Sequence, residues 1–216
     1  MTIYLISSSV RQSGKTTLAT NLTAHLSRQG RTILLDIDAK QTAYQWALQS
    51  SLNFESEHLI FEPNNADMLK QRLIQLKPHY AHIVIDADGT DSKAFRSLMF
   101  LADKMIIPVS SSARDQQHLS EMLQLAIAIK QFNSELQIYI VLNNVKSETD
   151  KQEIENTKRL LKNLPTVRFL NSIIYEDEDF KAALESGQSI WQKNAQSAAA
   201  FDQFVLELLS PLTESA

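Results

Sequence analysis

Gly14, Lys15 and Thr16, in the run SSSVRQSGKTT at residues 7–17, put a cation and a hydroxyl side by side behind a glycine. Such a set suits a phosphate chain. Gly14 lets the backbone approach the anion, Lys15 reaches the β and γ phosphates, and the Thr16 hydroxyl is a ligand for Mg²⁺. A bare G-K-[ST] triplet is a weak signal, and the competing reading is a polar turn with Thr16 or Thr17 at a helix start. Four carboxylates add weight. Asp36 and Asp38 stand in LLDIDAKQ, and Asp86 and Asp88 in IVIDADGTD. Carboxylates at the C-terminal ends of parallel strands stand on the edge where α/β proteins take ligands, close to a cation held at phosphates. Asp36 and Asp38 share a face only if the strand stays regular there. In that case one holds the cation's water shell and the other orients an attacking water. Asp38 and Asp88 also fit as caps or Asx turns, Asp88 more so because Gly89 follows it.

Positioning these groups requires strands that end beside helix starts. Short apolar runs predict strands at 3–7, 32–38, 58–62, 82–88, 104–110, 138–144 and 167–173. Several lack alternation, as strands covered on both faces should. Helical patterns lie between them at 15–29, 41–50, 66–76, 91–102, 115–132, 148–163, 177–186 and 195–209. Strands alternating with helices predict an α/β fold, a single domain over residues 1–216. Its sheet is expected to be mostly parallel and twisted, with helices on both faces, as in a P-loop NTPase. The Gly14–Thr17 run then sits between the first strand and the first helix, where helix N–H groups and the helix dipole attract anions.

Composition narrows the class. The 216 residues are 44% hydrophobic, enough for one sizeable core, and the net charge of −4 gives no global pull toward nucleic acid or anionic lipid. No cysteine is present, so disulfides and thiolate metal sites are excluded. MTIYLISSSV has no basic segment ahead of a long apolar run, and no apolar stretch approaches about 18 residues. A cytoplasmic protein without membrane association is expected.

The order of GKTT, the second-strand DxD, IVIDADG, MIIPVSSS, VLNNV and the late ALESGQSIW resembles the ParA/MinD group of deviant Walker ATPases, from residue 2 to about 209. It is most similar to short ParA proteins without an N-terminal DNA-reading domain. The resemblance implies ATP and Mg²⁺ as cofactors, and an ATP-dependent homodimer that binds nucleoid DNA nonspecifically. It further implies a ParB/McdB-like adaptor that stimulates slow hydrolysis. By motif position it implies Lys15 as the phosphate-binding lysine, Thr16 as Mg²⁺ ligand, and Asp38 as the residue positioning the hydrolytic water. Asp36 and Asp86 match outer-shell Mg²⁺ carboxylates, and Asn143, or Asn144 in its place, matches the adenine-reading asparagine. The loop as a whole, Arg11, Gln12, Ser13, Gly14, Lys15, Thr16 and Thr17, is expected to meet the nucleotide.

The departures lie at the start of that loop. The family reads K-G-G-x-G-K-T-[ST], and here Val10, Arg11 and Gln12 stand where a lysine and two glycines are expected. The missing lysine reaches the partner's phosphates, and three substitutes are open. Arg11 is one. A distal lysine is another, as in the McdA branch that the sequence resembles: Lys151 first and Lys146 second. The third is a chain that binds ATP and hydrolyses it poorly.

For DNA the candidates are Lys158, Arg159, Lys162, Arg168, Lys181 and Lys193, against the acidic run at residues 176–179. The C-terminal segment carries Phe201, Phe204, Val205, Leu208 and Leu209 but no basic residue after Lys193, so core packing is expected rather than a membrane helix. Two further readings stay open: a small-molecule ligase of dethiobiotin-synthetase type, and a degenerate nucleotide-binding scaffold.

Overall fold

The computed structural model describes residues 1–10, 12–60, 66–110, 113–146, 151–161 and 166–210. Along the chain run β1 (Thr2–Ser8), α1 (Lys15–Leu26), β2 (Thr32–Asp36), α2 (Thr42–Gln49), β3 (Glu55–His58), α3 (Ala66–Leu76), β4 (His82–Asp88) and α4 (Lys93–Leu101). β5 (Lys104–Val109), α5 (Ala113–Lys130), β6 (Gln137–Val145), α6 (Lys151–Leu161), β7 (Val167–Tyr175), α7 (Glu178–Glu185), α8 (Ile190–Lys193) and α9 (Ala195–Leu209) complete it.

The strands form one sheet in the order β3-β2-β4-β1-β5-β6-β7, and every pairing among the described residues is parallel. Successive strand residues point to opposite faces, so the apolar strands divide between two cores. Ile3, Leu5, Ile33, Leu35, Ile83 and Ile85 join Leu69, Leu73, Phe95, Leu98 and Met122 from α3, α4 and α5. Tyr4, Ile6, Leu34, Val84, Ile106 and Val141 join Leu18, Leu22, Trp46, Phe180, Phe201 and Phe204 on the other face. Burial on both faces is why these strands read as unbroken apolar runs. Central β1 lies between β4 and β5, and its C-terminal end opens where the chain's windings diverge, the usual ligand crevice of such sheets.

Three expectations need correction. β3 lies at Glu55–His58, not at 58–62, and residues 61 and 62 fall outside the described set. The observed strand is polar because it is an edge. Glu55 is bonded to Arg31 and Tyr80, and Glu57 takes a two-pronged bond from Arg72. Ile60, the residue that made the later run look strand-like, is 80% exposed. β2 ends at Asp36 instead of residue 38, because the Asp36 carboxylate accepts the Asp38 and Tyr44 amides and turns the chain. α8 is an unexpected helix of four residues. Its start is fixed from outside: Ile190 N donates to Asn21 Oδ1 at 2.7 Å, and Trp46 Nε1 donates to the Gln188 carbonyl at 2.8 Å.

Helix α9 buries Phe201, Phe204, Val205 and Leu208, with Leu209 partly buried against them, as core packing requires. Among the described residues no helix is long and apolar enough to cross a membrane.

Candidate functional site

Between β1 and α1 the chain makes a tight loop whose last residue, Gly14, has φ of 81° and caps α1 without a side chain. No acidic side chain occupies the helix's first turn. The first helical amides therefore face outward with the positive end of the helix dipole, an anion-binding arrangement. Gly14 is required twice over: a Cβ there would lie 2.1 Å from Asn143 Nδ2, and φ is in the left-handed region. Gly89, after β4, is a close approach instead. A Cβ on it would meet the Ser8 and Ser9 backbone at 2.5 and 2.6 Å and Met122 Cε at 2.3 Å, so the β4 turn presses directly on the loop's first residues.

Lys15 folds back over the loop, Nζ donating to the Val10 carbonyl at 3.4 Å. Thr16 Oγ1 donates to Asp86 Oδ2 at 2.7 Å, linking α1 to the end of β4. Asp86 is 1% exposed, and its second oxygen, Oδ1, is buried with no partner among the described residues. Burial, reinforced by the charges of Asp36 and Asp38, pushes the Asp86 carboxyl up to about 7, against the Thr16 bond and Lys15. Asp36 pairs in register with Asp86 on the adjacent strand and is itself shifted upward by burial. Both its oxygens accept backbone amides, Asp38 N and Tyr44 N, each at 2.9 Å. Two buried carboxylates side by side, one with an unpartnered oxygen beside a hydroxyl, form an all-oxygen donor set that fits a hard divalent cation.

Asp38 lies past the strand end, so it does not share a regular face with Asp36. Its Oδ1 accepts Lys40 N at 2.9 Å, an Asx turn, while the residue lines the cavity. Asp88 is exposed and accepts the Thr90 hydroxyl at 3.0 Å.

The loop forms one wall of a cavity of about 700 Å³. Gln12, Gly14, Lys15, Thr16, Thr17, Asp38, Asn143 and Asn144 all reach it, and the far wall is the β7–α7 connection from Ile174 to Leu184. That volume lies within the range of small-molecule sites. Sequence reasoning missed the far wall, whose apolar members Ile174, Phe180 and Leu184 look like ordinary core residues. It also missed the contact of Asn143 with the loop, a 2.7 Å bond from Nδ2 to the Ser13 carbonyl.

Arg11 and Lys162 lie outside the described residues. Lys151 is the first residue of α6, its side chain outside the described set, and Lys146, just past β6, is exposed. Lys158 pairs with Glu155 at 3.4 Å, and Arg168 lies near the start of β7, whereas Lys181 lines the cavity beyond its end. In the acidic run, Asp177 caps α7 through Asp179 N at 2.8 Å and accepts the Ser197 hydroxyl, and Asp179 accepts Asn194 Nδ2 at 2.5 Å. Two of the four acids thus serve to join α7 to the start of α9.

A family model described as the CobQ/CobB/MinD/ParA nucleotide binding domain matches residues 11–190. The chain is 24% identical over 191 residues to the maintenance of carboxysome distribution protein A of Halothiobacillus neapolitanus (strain ATCC 23641 / c2), covering 88% of this chain and 87% of that protein. Among solved structures, apo McdA from Cyanothece is similar with a TM-score of 0.76 at 18% identity, covering 96% of this chain and 99% of that one. A putative plasmid partition protein from Borrelia burgdorferi B31, bound to AMPPNP, is similar with a TM-score of 0.70 at 16% identity, covering 95% and 99%.

Proposed function

The chain belongs to the CobQ/CobB/MinD/ParA nucleotide-binding domain family, and from that premise we propose that it is a ParA-type ATPase whose ATP-bound form is a face-to-face homodimer. The observation that carries the reading is the Thr16–Asp86 pair, with its unpartnered Asp86 oxygen, at the uncapped start of α1. Thr16 and Asp86 would hold Mg²⁺, and Lys15, now bonded to the Val10 carbonyl, would bind the β and γ phosphates. Backbone amides of residues 12 to 17 surround the phosphate chain. Held there, the cation would supply charge neutralisation to the phosphates. Asp36 steadies the β2–α2 turn so that Asp38, at the cavity, orients the attacking water.

The dimer binds nucleoid DNA nonspecifically and positions a cargo, and a ParB/McdB-like adaptor stimulates hydrolysis. Carboxysome distribution is favoured over plasmid partition, supported by the relative that matches 88% of this chain and by Val10 in place of the loop lysine. Lys151, on the same sheet edge as the loop, supplies the missing charge in trans, with Lys146 and Arg11 as the other candidates. Light scattering with and without ATP and Mg²⁺ tests this reading. The expected outcome is an ATP-dependent dimer that Asp38→Ala traps and Lys151→Ala prevents. A monomer under every condition contradicts it, and a Lys151→Ala dimer removes Lys151 from the role.

A further inference from the structure

A phosphate loop works only if its peptide N–H groups face the anion and its carbonyls face away, because a carbonyl oxygen repels phosphate. Glycines ordinarily allow those peptide planes to turn. Here Gln12 stands in such a position and adopts φ of 62°, a left-handed conformation that residues with a Cβ resist. Something outside the loop must hold it there, and the end of β6 is built to do so. Asn143, 3% exposed, donates from Nδ2 to the Ser13 carbonyl at 2.7 Å. Asn144 donates from Nδ2 to the preceding carbonyl, Gln12, at the longer distance of 3.5 Å.

Two consecutive residues of a regular strand cannot turn to the same side. The irregularity between Asn143 and Val145 in the β6–β7 pairing, with Asn144 at φ of 56°, brings both amides to one loop. The two adjacent carbonyls of Gln12 and Ser13 are thereby both bonded from the end of β6. One N–H of the Asn143 amide is thus committed to the loop, on a side chain that is 3% exposed.

We propose that Asn143, supported by Asn144, is a positioning residue that sets the peptide planes of the phosphate loop in place of the glycines absent at Arg11 and Gln12. It acts on affinity for the phosphate chain, not on recognition of the base. The inference rests on the nucleotide-binding reading above.

Binding of ATP and of inosine triphosphate, in which the adenine amino group is replaced by a carbonyl, separates the roles. Both are titrated with Mg²⁺ into wild type, Asn143→Ala, Asn143→Asp and Asn144→Gly, with thermal unfolding as the check on folding. Asn143→Asp keeps the shape and loses the donor, and Asn144→Gly keeps the left-handed backbone and loses the amide. The expected result is a loss of roughly tenfold in affinity for both nucleotides in the Asn143 variants. A smaller loss, equal for the two nucleotides, is expected in Asn144→Gly, with the ATP to inosine triphosphate ratio kept throughout. Loss of ATP affinity alone, or wild-type affinity for both nucleotides, overturns the proposal. Should the Asn143 variants fail to fold, Asn144→Gly decides it by the same ratio. Wild type that binds neither nucleotide defeats the underlying nucleotide reading instead.

Discussion

Asp86 shows how far one buried group can couple stability to ligand chemistry. Its native carboxyl, raised by burial to about 7 against an ordinary value of 3.8, holds a proton that the unfolded chain has already lost at intermediate pH. Below about pH 4 both states are protonated, and Asp86 has no effect on pH dependence there. Between about pH 4 and pH 7 only the native state keeps the proton, so stability falls as pH rises, on the order of 1 kcal/mol per pH unit. Above about pH 7 both states are ionised and the loss levels off. Without Mg²⁺ or nucleotide, Tm should therefore decline from about pH 5 to about pH 7. Asp86→Asn should flatten that slope, and a wild-type slope of zero or opposite sign would contradict the burial argument. None of this was legible in IVIDADG. The motif announced a carboxylate at a strand end, but the unpartnered oxygen depends on Thr16 taking only one of the two.

At the scale of elements, the sequence revealed the strands that are apolar because both faces are covered, and it lost those shaped by position. β3 carries Glu-Ser-Glu-His because it is an edge anchored by Arg31, Arg72 and Tyr80, and no apolar pattern marks such a strand. The four-residue α8 depends on Asn21 and Trp46, contacts far apart in sequence. The acidic run beside α7 was readable as a helix start, and the structure adds that Asp177 is its cap and its link to Ser197 on α9. Asp177→Ala should therefore cost about 1 kcal/mol, lowering Tm by roughly 2–4 °C, although it removes a negative charge from a crowded acidic segment. An unchanged or higher Tm on thermal unfolding would show that charge repulsion outweighs the cap.

Across the whole molecule, a single parallel sheet gathers the ends of β1, β2, β4, β6 and β7 at one edge, and among the described residues Gln12, Lys15, Thr16, Asp38 and Asn143 line the cavity there. The alternation of strands and helices made that edge legible from sequence, with Lys15 and Thr16 expected at a helix start and Asp38 and Asp86 at strand ends. The bulge that turns Asn143 and Asn144 toward the loop could not be read there, since it exists only in the pairing of β6 with β7. Nor could the far wall of the cavity, which becomes a wall only when β7 and α7 pack across from α1. The most direct measurement of whether this edge is a metal-dependent nucleotide site is calorimetric titration of ATP, with and without Mg²⁺, into wild type and Thr16→Ala. Tight binding strengthened by Mg²⁺ in wild type, with most of that strengthening lost in Thr16→Ala, is the expected result. No binding by wild type, or a response to Mg²⁺ that Thr16→Ala leaves intact, would contradict it.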